Sequence, residues 1–398
     1  MKPRAPLTIC YPFTGDIVGG SHFSTLGLIE SLDRDRFRPL IVPQRSDGAI
    51  ASFFREHGLE VEPGLAGAEL AYDTRVGLWQ YLRTLADLPA QIALIHRLSV
   101  DIVHTNDGRT HATWALAARL AGARLLWHHR GDPKAAGLRL IAPLLANRVV
   151  AVSQFARPAE GLWSAGSRTE VVHSPFDTAI EEDRVAARAD LVAELGCSAQ
   201  TWLVGYMGAF VARKRPFLFI DAVVELVCQH PARPIAALMF GEDYDGKTER
   251  ALVTYARRRG VSHVVRFMGF RRNGPHWLAG CDLLMVPAFG EPFGRTLIEA
   301  MLVGTPIVAT ASGGNVEALR DGTLGTLVPP DNAVALANAC HRLRSTPQQA
   351  ASVAQRAAAD ARSRFGIERH ASRIMAIYTE MLDETRSRPV SDSSRATT

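Results

Sequence analysis

Cysteine is scarce in this chain, and none of it is grouped. The five residues, at positions 10, 197, 228, 281 and 340 of 398, are odd in number and never spaced Cys-x-x-Cys. This excludes a disulfide frame and a cysteine metal cluster, and it points to reduced thiols in a cytoplasmic setting. Long apolar runs are missing too. Lys2 and Arg4 precede only the short run Leu7 to Tyr11, flanked by prolines, so no signal peptide is expected and any membrane association is expected to be peripheral. The strict Gly-x-Gly-x-x-Gly fingerprint is absent, which argues against an NAD enzyme. No His-x-Glu-x-x-His or clustered carboxylate pattern occurs, so no metal ligands are assigned, and Glu242, Asp243 and Asp245 read as loop acids after a strand. Arg257 to Arg259 and Arg271-Arg272 lack interleaved aromatics, so they read as a solvated face rather than a nucleic-acid groove; a supporting role near phosphate or anionic lipid stays open.

What is present is an ordinary globular composition. Hydrophobic residues make up 47% and charged residues 21%, and a formal charge of +5 with a pI near 9.1 is mild for this length, which suits two or three domains. Short apolar, β-branched or aromatic runs recur along the chain. Leu7 to Tyr11, Pro39 to Val42, Asp101 to Thr105, Leu125 to His128, Val149 to Ser153 and Val171 to His173 read as buried parallel strands. Helical patterns lie between them, at Arg75 to Leu98, Ala112 to Ala121, Gly137 to Leu145 and Phe155 to Ala165. After Ser174 to Asp177 the pattern pauses, a helix follows from Glu181 to Leu195, and a second series begins: Trp202 to Met207, Ile235 to Phe240, Val264 to Met268, Leu283 to Val286, Ile307 to Ala309 and Thr326 to Val328. Helices follow at Asn332 to Leu343, Gln348 to Phe365 and Ile367 to Leu382.

Strands alternating with helices imply an α/β fold of two facing Rossmann-like domains with a cleft between them. The expected boundaries are 1–178 for an N-terminal Rossmann-like domain, 179–366 for a C-terminal Rossmann-like domain, 367–384 for a C-terminal helix and 385–398 for a disordered tail.

One stretch organises the second series. From Glu291 to Met301, two carboxylates eight positions apart bracket a Phe-Gly step, and apolar residues at Leu297, Ile298 and Met301 place a helix start near Gly294. A helix start carries unpartnered amides and partial positive charge, a cradle for phosphate. Glu299 lies a turn inside, where it would repel phosphate but could accept two hydrogen bonds from a diol such as ribose. The plain alternative is a dipole-favoured Glu291 and a solvated Glu299. Upstream, Gly19-Gly20 sits in a glycine-bearing loop between the first strand and the first helix.

The order of several segments carries a resemblance. Gly208 to Lys214, Phe267 to Phe270, Ala279 to Asp282, Glu291 to Gly304, Gly313 to Glu317 and Gly325 to Pro330 resemble the retaining glycosyltransferases of GT-B architecture, the group of bacterial polysaccharide and lipid glycosyltransferases and sucrose synthase. Gly19-Gly20, Asp101 to His104, Val152-Ser153 and Val172 to Asp177 extend the likeness more thinly into the first domain. The resemblance implies transfer of a hexose-type sugar from a nucleoside diphosphate sugar to a glycan or lipid-linked acceptor, with retention of configuration, no metal and no further cofactor. Same-fold alternatives are a nucleotide-sugar epimerase or hydrolase; another class is a sugar-nucleotide-binding protein without turnover.

The implied roles fall on particular residues. Glu291 faces the donor sugar, Glu299 binds ribose, and Phe293, Gly294, Arg295 and Thr296 form the diphosphate turn. Lys214, with Arg213 or Arg215, supplies cations, because Ala209 stands where the family usually has arginine. Gly19 and Gly20 belong to an acceptor or phosphate loop. His128 or His129, on opposite sides of a strand end, serves the reacting centre; His104 and His22 read as structural. Gly313 and Gly314 permit close backbone approach, and Glu317 either joins the site or favours a helix start. The implied setting is polysaccharide biosynthesis in the cytoplasm, with possible contact at the inner face of the membrane and no nucleic-acid partner. Acceptor recognition is expected from first-domain loops such as Leu65 to Thr74.

Overall fold

The computed structural model describes residues 5–65, 67, 78–229, 234–243 and 246–386. Most of the loop Leu65 to Thr74, the acid Asp245 and the tail beyond 386 lie outside the described residues. Two compact units emerge. The first comprises residues 1–152, 157–175 and 367–398; the second comprises 153–156 and 176–366.

The first unit is a six-stranded parallel sheet: β1 (Leu7–Phe13), β2 (Phe37–Pro43), β3 (Ile102–Thr105), β4 (Arg124–His129), β5 (Arg148–Ala151) and β6 (Thr169–Val171), in the order β2-β1-β3-β4-β5-β6. Helices α1 (Gly20–Glu30), α2 (Ala49–Glu56), α3 (Leu78–Thr84), α4 (Leu88–Arg97), α5 (Gly108–Leu120) and α6 (Ala142–Leu145) connect the strands. Strand pleating sorts the side chains into two layers. Ile9, Tyr11 and Phe13 face one core with Leu126 and Val150, whereas Cys10 faces another with Leu125, Trp127 and Val149. The long helix expected over Arg75 to Leu98 is broken by a 3₁₀ turn, Leu85–Asp87, with Pro89 in the first turn of α4. The helix expected over Phe155 to Ala165 does not form; the segment runs as turns and bends. Pro158 and Gly161 interrupt it.

The second unit repeats the design. Helix α7 (Arg184–Leu195) precedes β7 (Trp202–Met207), α8 (Pro216–Gln229), β8 (Ile235–Phe240), α9 (Lys247–Arg258), β9 (Val265–Gly269), α10 (Gly274–Gly280), β10 (Leu283–Val286), α11 (Arg295–Leu302), β11 (Ile307–Thr310), α12 (Gly314–Ala318), β12 (Thr326–Val328), α13 (Ala333–Ser345) and α14 (Pro347–Arg364). Its parallel strands are ordered β12-β11-β10-β7-β8-β9. The strands expected over Trp202 to Met207, Ile235 to Phe240, Leu283 to Val286 and Thr326 to Val328 form over those same residues.

The last helix, α15 (Ile367–Arg386), returns to the first unit, where Ile374, Ile377, Tyr378 and Met381 are buried beside Tyr11, Leu28 and Phe37. The sequence reading treats this helix as a separate element and sets the domain boundary after 178. In the structure the units part after Pro175, and α15 is a core element of the first unit. An amphipathic stripe shows that a helix is covered; it carries no information about which sheet covers it.

In each sheet the strand order reverses once: β1 lies between β2 and β3, and β7 lies between β8 and β10. At such a reversal the loops leaving two neighbouring strands diverge and open a crevice at their carboxyl ends.

Candidate functional site

The second unit's crevice lies between the loops that follow β7 and β10. The two loops are tied together, since the Phe289 amide donates to the Arg213 carbonyl over 2.8 Å. A 3₁₀ turn, Ala212–Lys214, ends in Arg215 at φ 51°. The Lys214 side chain passes over Gly208 and places Nζ 2.9 Å from the Glu291 carboxylate; Arg213 Nη1 stands 3.5 Å from its other oxygen. Arg215 turns away, to Asp331 at 3.1 Å and over the Phe289 ring. Of the two cations beside Lys214 that could stand in for an arginine at Ala209, Arg213 is therefore the one at the site.

Glu291 is held rigidly. The Gly290 amide donates to Ser312 Oγ over 2.9 Å, the Gly314 amide to the Glu291 carbonyl over 2.7 Å, and Ser153 Oγ to the Pro292 carbonyl over 2.5 Å. A Cβ on Gly313 would collide with the Glu291 backbone, and one on Gly314 with Pro292 and Phe293. Gly313 also adopts φ 63°, ψ −145°, a region essentially confined to glycine. The glycine pair thus seats the Glu291 loop by close backbone contact. Glu317, on α12, accepts a hydrogen bond from the Gln154 amide at 2.7 Å.

Burial would raise the Glu291 carboxyl, but Lys214, Arg213 and the Gly294 amide overcome this and hold it below the usual range. Gly294, at φ 68°, is the N-cap of α11, so the amides of Arg295 and Thr296 open the helix beside this group. Two cations and a helix start thus surround one carboxylate, a surplus of positive potential suited to an anion.

Glu299 lies one turn into α11, with its carboxylate 3.7 Å from Arg295 and near Gly274. Arg295 also covers the Phe176 ring at 4.3 Å. The Phe293 side chain is a packing group: only 4% exposed, it lies against Phe176 and Phe365.

In the first unit, the pleat of β4 does separate the two histidines. His128 lies on the α15 side, with Nδ1 3.1 Å from His104 Nε2, and His104 Nδ1 is 2.5 Å from the Tyr378 hydroxyl, which in turn meets Tyr11. His129 lies on the α5 side, stacked near His111, with Nε2 2.9 Å from the Asp132 carbonyl. Both are closed, at 0% and 5% exposure, and burial pushes both below the ordinary histidine range, so they are neutral at pH 7. The charged group that ends this strand is Arg130, which the sequence reading passed over. Its guanidinium donates to Ser174 Oγ at 3.0 Å and Asn106 Oδ1 at 3.3 Å and lies 3.4 Å from His128. Gly19 and Gly20 occupy the N-cap and first position of α1.

Among the described residues, no group of three or more His, Cys, Asp or Glu is arranged to hold a metal ion, and no helix is long and apolar enough to cross a membrane.

Two parallel Rossmann-like units, the second with a cationic helix start at its strand reversal, make up an α/β fold of the GT-B architecture. Residues 202–346, from the first residue of β7 to just past α13, match the model of the glycosyl transferases group 1 family. The chain is 33% identical over 212 residues to a D-inositol 3-phosphate glycosyltransferase of Streptomyces griseus, a match covering 52% of this chain and 44% of the relative. The chain thus spans about half the length of the first curated relatives it matches. A Streptomyces scabiei protein of the same name is 27% identical, with 94% of this chain and 89% of the relative covered. Among solved structures, HepE of Anabaena in complex with UDP and glucose superposes with a TM-score of 0.78 at 25% identity, covering 94% of this chain and 99% of that one. The sucrose-phosphate synthase of Thermosynechococcus elongatus, at 20% identity, superposes with a TM-score of 0.75 over 95% and 100% of the two chains and shares the fold.

Proposed function

We propose that this protein is a glycosyltransferase that moves a sugar from a nucleoside diphosphate sugar to a glycan or lipid-linked acceptor, with retention of configuration and without a metal. The observation that carries this reading is the meeting of Lys214, Arg213 and the start of α11 on Glu291 at the strand reversal of the second unit. The diphosphate would lie against the first amides of α11 and the two cations, which match the charge that grows on the leaving group as the glycosidic bond breaks. Glu291, ionised and clamped, would hold the sugar hydroxyls and favour an oxocarbenium-like centre. The departing diphosphate would take the acceptor's proton as the acceptor oxygen attacks the same face, so no separate base is required. Glu299 would accept the ribose hydroxyls. A UDP-sugar is the first donor to try, in keeping with the UDP complex of HepE.

Calorimetry with nucleoside diphosphates and a donor screen followed by mass spectrometry of the product test the reading. Glu299→Ala is expected to weaken nucleotide binding by about 1.5–3 kcal/mol, ten- to a hundredfold, through loss of charge-assisted hydrogen bonds. Glu291→Ala should chiefly lower kcat. Equal nucleotide affinity in wild type and Glu299→Ala would contradict the ribose role. Ala209 favours one rival, a nucleotide-sugar binder without turnover; donor binding with no nucleotide release in any acceptor mixture would establish it, and release without acceptor dependence would establish a hydrolase.

A further inference from the structure

Between α8 and α9 the second unit has a groove of about 390 Å³, lined by Phe217, Arg250, Ala251, Thr254, Tyr255 and Arg258. The sequence of α9 explains its shape. Leu252 and Ala256 are the buried residues of that helix, and they hold it on the core it shares with Phe219, Val223 and Leu226 of α8. Arg250, Thr254 and Arg258 recur at steps of four and form a second row along the helix, while Ala251 and Tyr255 form the row that meets α8. There the Tyr255 ring meets Phe217 edge to face at 5.3 Å, and its hydroxyl donates to Asp221 over 2.7 Å. Phe217 is 38% exposed, so the groove has an apolar floor open to water.

The arginines of this stretch have different fates. In sequence Arg257 to Arg259 read as one solvated run, but in the structure Arg259 pairs with Asp221 at 3.2 Å and covers the Tyr255 ring, whereas Arg258 lines the groove with Arg250. Neither of those two guanidinium groups has a hydrogen bond, ion pair or ring contact among the described residues. The helix supplies no acid for them. Gly246 and Thr254 stand four positions from Arg250, and Thr254 and Ser262 four positions from Arg258, where a pairing carboxylate would have to be. Asp221 is engaged by Arg259 and the Tyr255 hydroxyl, and no acid lines the groove. Two cations flanking an apolar floor are complementary to an acidic chain with an apolar side chain between its charges.

We propose that this groove docks an extended acidic segment of a partner protein. Spacing selects the extended chain. The eight steps from Arg250 to Arg258 cover about 12 Å of helix axis, and positions i and i+4 of a strand, which share one face, are about 13 Å apart. Acids at those two positions would meet the two arginines, and an apolar residue at i+2 would rest on Phe217 and Tyr255. A single phosphate would leave the apolar floor in water. The groove shares no residue with the donor crevice, and the proposal does not depend on the glycosyltransferase reading.

Calorimetric titration of the full chain with the peptide Gly-Glu-Ala-Leu-Ala-Glu-Gly tests the site, with Gly-Gln-Ala-Leu-Ala-Gln-Gly and Gly-Glu-Ala-Ser-Ala-Glu-Gly as controls for charge and for the apolar contact. Saturable binding of the first peptide is expected, with weaker binding of both controls and loss of affinity as salt is raised. Arg250→Gln and Arg258→Gln should each weaken it about threefold and together about tenfold, as exposed charge pairs do. Phe217→Ser should weaken it as well, and nucleotide affinity should stay unchanged in all of these variants. Circular dichroism checks that each is folded. No binding of the acidic peptide, equal binding of the three peptides, or an affinity untouched by the double arginine variant would overturn the proposal. Displacement of the peptide by inorganic phosphate or by oligouridylate, with the same arginine dependence and no preference for leucine over serine, would assign a general anion site and overturn it too.

Discussion

Glu291 is the residue on which local electrostatics and positioning meet. Its carboxylate, with 9% of the side chain exposed, exchanges water for Lys214 and Arg213, and removing one partner strands a buried charge. Lys214→Met is therefore expected to destabilise the second unit by about 3 kcal/mol, while the double variant Lys214→Met/Glu291→Gln recovers a large part of the loss; urea denaturation of the four proteins of the cycle measures this. A double variant as unstable as the sum of the singles would show that the pair is uncoupled. The pH dependence has a definite sign. The folded carboxyl titrates below its unfolded reference of about 4.3, so its contribution is complete above that value and fades as pH falls through the lower, folded value. The stability difference between wild type and Glu291→Gln should be flat from pH 7 to pH 5 and shrink only in stronger acid.

At the scale of elements, the loop from Gly290 to Phe293 is shaped by its neighbour, the turn Gly313-Gly314 that opens α12. Gly313→Ala adds a Cβ into the Glu291 backbone and forces a glycine conformation on alanine. A cost of about 2–3 kcal/mol is expected, with kcat lost beyond what the fall in stability explains, because Glu291 moves with its backbone. Thermal denaturation and kinetics on the same preparation check both parts; a variant with normal kcat would detach the turn from the positioning of Glu291. The Glu291 to Met301 motif was legible in the sequence because its spacing of glycine, carboxylates and apolar residues is local. The role of Gly313-Gly314 as its seat was not, because the pair meets it only once β10 and β11 lie side by side. Arg130 escaped for a similar reason. The two histidines before it drew attention as strand-end groups, and only the packing of α5 and α15 on either side of β4 closes them and leaves the arginine as the charged terminus.

At the scale of the molecule, the two units differ in how they meet acid. In the first, burial holds His104, His111 and His128 well below the ordinary histidine value and pushes His370 down to about 3. The unfolded chain takes up these protons near pH 6.5 and the folded unit refuses them, so stability is full above that value and falls below it, by about 1.4 kcal/mol per pH unit for each histidine. Calorimetric scans from pH 7 to pH 5 should show the first unit's transition moving down more steeply than the second's. Parallel movement of both transitions would contradict the neutral histidine cluster.

The sequence by itself determined the elements that depend on local pattern: twelve short strands in two series, some of the helices between them, and a helix start behind Gly294 with carboxylates on either side. Hydrophobic periodicity and glycine placement are properties of neighbouring residues, so they survive reading in one dimension. Tertiary structure decided which groups meet. It turned Arg213 toward Glu291 and Arg215 toward Asp331, made Phe293 a packing residue, closed His128 and His129, and gave α15 to the first unit. These outcomes rest on strand order and on side chains from distant segments competing for the same space, and no local pattern encodes either.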